Sequence, residues 1–307
     1  MTKGLRLILA GLLAAALVGS GAAPASASPS APDFPTAYLY SQANPLADPP
    51  GANDWSCRPS AAHPRPVVLV HGTWLNKYDD FAKISPELKK AGYCVYALNY
   101  GASLNLLGLN PALRGTGDIR RSAGELSTFV DRVLAGTGAS KVDIVGHSQG
   151  GLMPRQYLKF NGGADRVHTL VTLGATHHGT TLDGLGTLTR QLGIVQYGWP
   201  LLGVAAEQQV VGSAFLNTLN AGGDTVPGVT YVVIATKYDE VTTPYESTFL
   251  TAGPAATVRN ITLQDGCAID ASDHLSMVYS PRAIGIVEKA LDASAPAPPC
   301  TVNPPVA

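Results

Sequence analysis

The sequence predicts an α/β fold, a mostly parallel central sheet with helices on both faces. Three observations carry that expectation. Short β-branched apolar runs alternate along the chain with segments of helical spacing. The runs stay apolar instead of alternating with polar residues, as strands covered on both faces must. No internal repeat or long linker interrupts residues 37–300, so the alternation belongs to one unit.

The first strand is the VVLV run at 67–70, which ends in His71-Gly72. Residues 79–91 (DDFAKISPELKKA) have amphipathic helical spacing, with Gly92 as the stop. Residues 93–98 (YCVYAL) form the second strand. A helix over 117–135 places Ile119, Leu126, Val130, Val133 and Leu134 at helical spacing. The third strand covers 142–145, and a helix beginning near Ser148 continues through 152–160. Further strands are expected at 167–173, 230–235 and 258–263, and residues 281–291 close the domain with a helix. Ligands of such sheets sit beyond the carboxyl ends of the strands, so the residues after each strand are the candidate site.

The ends of the chain read differently. Lys3 and Arg6 precede an apolar stretch at 7–18, and Ala25-Ser26-Ala27 supplies an A-x-A cleavage pattern. This predicts a signal peptide over 1–27 and a secreted mature chain, 28–307, forming a single domain. The apolar stretch falls short of the roughly 20 residues a membrane span needs, so no stable membrane anchor is expected. Residues 28–36 (SPSAPDFPT) read as a proline-rich start that packs little. Cys57, Cys94, Cys267 and Cys300 are an even set in an exported chain, which predicts two disulfides. Of the three possible pairings, Cys57–Cys94 and Cys267–Cys300 close the shortest loops, and the second would staple the proline-rich tail at 294–306. A net charge of −1 argues against nucleic acid or an acidic membrane as partner. No Cys/His spacing suggests zinc and no compact carboxylate cluster suggests calcium, so neither metal nor cofactor is expected. The chain is expected to act as a monomer.

The chemistry centres on VDIVGHSQGG, residues 142–151. A strand that turns directly into a helix must reverse within a few residues, and Gly146 and Gly150 flank that turn where a Cβ would collide. The G-x-S-x-G pattern between a strand and a helix holds Ser148 in a strained conformation with its hydroxyl presented. The N–H of Gln149, at the helix N-terminus, is open to an oxyanion. A second donor is expected from Thr73 in VVLVHGTW, where Gly72 lets the backbone approach. His71 is read as a structural histidine of that loop.

A serine nucleophile needs a base, and the base needs an orienting carboxylate. His274 follows the last strand and precedes the closing helix, where a loop can present a general base. Asp239 follows the strand at 230–235 and is the expected acid, with Glu240 as fallback. Asp183 and Asp224 lie in a long insertion, and Asp270 and Asp273 are too near His274 in sequence. His168 is read as strand packing, and His177 and His178 as pocket wall. Leucine-rich segments at 102–113 and 182–204 are expected to rim the site, with cap segments near 102–115 and 180–225. Trp74, His177, Leu106 and Trp199 are the expected substrate contacts. An apolar rim suits an acyl chain and an oil–water interface.

Together VLVHGTW, VGHSQGG, TLGATHHGT, TKYDEVTTP and the late DHL resemble the secreted triacylglycerol lipases of actinobacteria. More distantly they are similar to the fungal lipase B type. The resemblance covers most of residues 37–300. It implies an α/β-hydrolase fold, cofactor-free ester hydrolysis and disulfides Cys57–Cys94 and Cys267–Cys300. It implies Ser148 as nucleophile, Asp239 as acid, His274 as base, and Thr73 with Gln149 as oxyanion donors. A short-chain carboxylesterase, thioesterase, peptidase or polyester depolymerase would keep the same triad. An acyltransferase would need a dry acceptor site, and a non-enzymatic binding protein would not need the complete triad.

Overall fold

A computed structural model describes residues 28–102, 110–194 and 202–306. The expected signal peptide therefore lies outside the described residues, as do Leu106 and Trp199. Six strands form one sheet: β1 (Val67–Val70), β2 (Val95–Leu98), β3 (Val142–His147), β4 (Val167–Leu173), β5 (Thr230–Ala235) and β6 (Thr257–Thr262). Their order is β2-β1-β3-β4-β5-β6, and every neighbouring pair is parallel. The chain runs outward from β1 to β2, then returns to lay β3 on the other side of β1. This reversal opens a crevice beyond the carboxyl ends of β1 and β3. Val70 and Gly146 are paired there, so the loop after β1 and the turn after β3 leave the sheet side by side.

Burial explains the uninterrupted apolar strands. Leu69, Val145, Val171 and Ile234 face one core, which they share with α1 (Phe34–Ala43), α3 (Ile84–Lys90) and α9 (Pro281–Leu291). Val68, Ile144, Leu170 and Val233 face the other, shared with α4 (Ile119–Thr137) and α5 (Gln149–Phe160). The helix at 119–137 starts on an Asp118 side-chain cap and ends at left-handed Gly138. Between β4 and β5 the chain adds α6 (Leu182–Gln191), α7 (Val204–Gln208) and α8 (Ala214–Asn220). No helix among the described residues is long and apolar enough to cross a membrane.

Several expectations are corrected. The helix expected over 79–91 is two, α2 (Lys77–Phe81) and α3. Pro86 has no N–H to give Ala82, so a continuous helix would lose a bond there, whereas proline fits the first turn of α3. The start of α2 is fixed by Asn76, which caps the N–H groups of Tyr78 and Asp79 while the Asp79 carboxylate takes the Asn76 N–H. The second strand begins at Val95, because Tyr93 N–H still bonds Leu88 at the end of α3. The segment at 28–36 is mostly exposed, as expected, but it is anchored at two points: Ala31 and Phe34 are buried, and Asp33 caps α1 with Pro35 in its first turn. His168 is no packing residue; its half-exposed ring faces Thr169 Oγ1 and Asp143 near the start of β4. The disulfides are Cys57–Cys94 and Cys267–Cys300.

Candidate active site

The turn after β3 has the geometry its glycines imply. Ser148 has φ 54° and ψ −126°, a region costing about 1–3 kcal/mol for a residue with a Cβ. A Cβ on Gly146 would lie 1.9 Å from Gly150 O, and one on Gly150 would lie 1.9 Å from Val70 O. The helix thus starts against the backbone of β1, closer than any side chain permits. Ser148 N–H donates to Leu173 O at 2.9 Å, which ties the turn to the end of β4.

Asp239 and His274 meet at the ends of β5 and β6. Nδ1 of His274 lies 3.0 Å from each Asp239 carboxylate oxygen. Asp239 Oδ1 also accepts the N–H groups of Val241, at 3.0 Å, and Thr242, at 2.7 Å, so the carboxylate is held by its own turn. The pair closes over Gly174 (φ 53°), where a Cβ would stand 3.0 Å from Asp239 Oδ2 and 3.2 Å from His274 Nδ1. A nitrogen facing a carboxylate carries the hydrogen, which leaves Nε2 as the basic atom of the neutral ring. Nε2 is buried and makes no hydrogen bond among the described residues. Burial opposes protonation of the His274 ring, but the charge and hydrogen bond of Asp239, backed by Glu240 and Asp273, hold its pKa above the ordinary histidine value. Glu240 meets His274 differently, its Oε2 lying 3.4 Å from the backbone N–H.

The His274 ring stands beside the serine turn. Its centroid is 4.9 Å from that of His147, the residue before Ser148. His147 Nε2 is 2.9 Å from His274 O, and its Nδ1 is 2.8 Å from Asp80 Oδ1. Asp80 Oδ2 accepts the Gly72 N–H at 2.7 Å. One buried carboxylate and one buried imidazole thereby join the loop after β1, the serine turn and the His274 loop. Sequence reasoning missed Asp80, His147 and Gly174.

The loop after β1 presents Thr73 to the same crevice. Its Oγ1 accepts 2.8 Å bonds from Gln149 Nε2 and from Gln209 Nε2. With both lone pairs engaged, the hydroxyl hydrogen points elsewhere, as a donor. The backbone N–H groups of Thr73 and Gln149 have no backbone acceptor among the described residues. Gln149 Nε2 also bonds Gly115 O at 2.8 Å, which pins the far side of the loop. Gln209, another residue missed in the sequence, comes from the turn after α7.

The remaining candidates divide. His71 is a loop histidine as expected: Nδ1 lies 2.8 Å from Gly72 O, the ring stacks on Tyr100, and burial pushes its pKa down to about 4. Trp74 is fully buried and donates Nε1–H to Leu202 O at 2.7 Å. His177 is fully buried behind the site, with Nε2 3.2 Å from Thr172 Oγ1. His178 lies between Ser247 O and Asp224. Asp224 pairs with buried Arg155, its Oδ1 3.4 Å from Nη2.

The arrangement has clear relatives. The lipase (class 2) family profile matches residues 64–279. Triacylglycerol lipases of Pseudarthrobacter phenanthrenivorans and Burkholderia plantarii are each 34% identical over 125 residues, 39% of this chain. Those matches span 35% and 32% of the two relatives, about a third of their length. The crystal structure of Aspergillus fumigatus lipase B superposes with a TM-score of 0.61 at 20% identity, covering 81% of this chain and 56% of that one. The mature lipase of Bacillus licheniformis superposes at 0.55 with 19% identity, covering 76% of this chain and 94% of that one. These two likenesses establish a shared fold, the α/β-hydrolase fold.

Proposed function

The chain belongs to the lipase (class 2) family, and on that premise we propose that it hydrolyses carboxylic esters of lipids, triacylglycerols among them, through an acyl-enzyme on Ser148. The observation that carries the reading is the buried Asp239–His274 pair set beside the strained turn that bears Ser148. His274 Nε2 takes the proton of the Ser148 hydroxyl as Oγ attacks the ester carbonyl. Asp239 holds the Nδ1–H tautomer and stabilises the imidazolium. The N–H groups of Thr73 and Gln149, with the Thr73 hydroxyl, receive the developing oxyanion. His274 then protonates the leaving alcohol, and water repeats the cycle on the acyl-enzyme.

Leu182 and Val204 expose apolar surface on α6 and α7, which supports an acyl-binding rim and action at an oil–water interface. The described parts of the segments near 102–115 and 180–225 act as caps over the site. The chain is exported after removal of residues 1–27 and works as a monomer; its two disulfides support an oxidising destination. Ser148→Ala should abolish ester turnover while leaving the fold intact, and full retained activity would reject the reading. A p-nitrophenyl ester chain-length series, run with and without emulsion, identifies the substrate. Preference for long chains with activation by the emulsion supports a lipase. Preference for short soluble esters assigns a carboxylesterase, and turnover of an aliphatic polyester film assigns a depolymerase.

A further inference from the structure

We propose that the C-terminal segment 300–306 is a clamp on the loop bearing His274, with Asn303 as its positioning residue. The inference rests on the catalytic reading of His274 and concerns what holds that residue in place. The loop at 270–276 contains its own small turns. Asp270 Oδ1 accepts the Ser272 N–H at 3.0 Å, and Asp273 Oδ1 accepts the Ser276 N–H at 2.7 Å. The tail supplies a second set of bonds. Asn303 Nδ2 donates to Ser272 Oγ at 2.9 Å and to Ser276 O at 3.1 Å. Asn303 O accepts the Ala271 N–H at 3.0 Å, and Val306 N–H donates to Asp273 Oδ2 at 2.6 Å. The loop is therefore gripped on both sides of His274. Asn303 suits the position because one amide nitrogen carries two hydrogens, one for each side of the loop.

The tail can resist movement because it is itself pinned. Cys300 is bonded to Cys267, three residues before Asp270, and Pro298 packs on α9, where a Cβ on Gly285 would lie 2.9 Å from Pro298 Cα. Pro298, Pro299, Pro304 and Pro305 restrict the backbone on either side of Asn303. Asn303 is buried, though the segment around it is neither helix nor strand. A general base works only within a narrow range of distance and angle to its nucleophile, and displacements near 1 Å can cost about 100-fold in rate. A clamp on residues 271–276 sets that range for His274.

The test compares Asn303→Ala and Val306→Pro with wild type, each normalised by titrating Ser148 with a fluorophosphonate. With a soluble p-nitrophenyl ester, Asn303→Ala should lower kcat per titrated site about tenfold or more. KM should stay within about twofold, and Ser148 phosphonylation should slow by the same factor as kcat. Val306→Pro removes the N–H to Asp273 and also replaces a partly buried side chain that packs against the core, so its effect is read only as kcat per titrated site, which should fall by a smaller factor at unchanged KM. A purely structural tail would reduce the number of titratable sites and leave kcat per site unchanged. Wild-type kcat per site in both variants overturns the clamp, and if Asn303→Ala does not fold, Val306→Pro decides. His274→Ala, run in parallel, separates the two failures: if it is inactive while the tail variants are unaffected, only the clamp is wrong. If His274→Ala itself keeps wild-type turnover, the catalytic reading fails and the clamp with it.

Discussion

The imidazole of His147 bonds the backbone carbonyl of His274, with Nε2 2.9 Å from the oxygen. A carbonyl accepts only, so Nε2 carries a hydrogen. Nδ1 faces Asp80 Oδ1 at 2.8 Å, and a proton lies between them. The buried Asp80–His147 pair is then neutral overall, whichever atom holds that proton. Its purpose is geometric, because it fastens the His274 loop, the serine turn and the Gly72 N–H to a single point.

A neutral pair makes a specific prediction. In Asp80→Asn the side-chain oxygen can still accept the Gly72 N–H, and the amide N–H can donate to Nδ1 of neutral His147. All three bonds survive, so turnover should stay within a fewfold of wild type. Asp80→Ala leaves Nδ1 of the buried His147 ring and the buried Gly72 N–H without partners, which costs about 1–3 kcal/mol for each orphaned group. It should lower both thermal stability and kcat. Melting curves and steady-state kinetics on the two variants check this, and equal damage from both would contradict the neutral pair.

Gly150 should tolerate no side chain. A Cβ there would lie 1.9 Å from Val70 O, a backbone atom of the central strand that cannot rotate away. Overpacking a rigid site costs about 1–3 kcal/mol or more. Gly150→Ala should therefore yield little soluble protein, whereas Gly124→Ala, where nothing lies within 4 Å, should behave as wild type in expression and melting temperature.

On the proposed mechanism, the His274 pKa sets the acid side of the activity profile. The base works when neutral, and the Asp239 charge and hydrogen bond hold its pKa above the ordinary histidine value despite burial. Thus kcat/KM should climb with pH through an inflection above the ordinary histidine pKa. Asp239→Asn removes the main charge that raises the pKa and leaves burial, which lowers it, so the inflection should move to lower pH. Its rate should also fall, by about 10⁴ on the precedent of a triad carboxylate replaced by an amide. A raised histidine pKa adds stability below its unfolded value, and that stability fades as pH rises through the folded value. A pH–rate series on both proteins reads the shift, and an unmoved inflection would detach Asp239 from His274.

Local chemistry was legible in the sequence, and long-range polar pairing was not. Gly146 and Gly150 announced a turn without room for a Cβ, and backbone oxygens occupy that space. Asp239 and His274 could be paired because a parallel sheet brings the ends of its strands to one edge. Asp80 lay hidden in a helical pattern that is indifferent to one buried carboxylate, and its partner His147 is 67 residues away. Gln209 and Asn303 act through single side-chain amides reaching into distant loops, which leaves no periodic trace. The break at Pro86 and the first helix at Phe34–Ala43 were readable: a proline interrupts one helix, and Asp33 with Pro35 opens the other.

The most direct test of the account is to treat the folded protein with a fluorophosphonate, digest it and locate the adduct by mass spectrometry. The account predicts a single modified residue, Ser148, with labelling lost in His274→Ala and blocked by a competing ester substrate. An adduct at another residue, or undiminished ester hydrolysis after complete modification of Ser148, would contradict it.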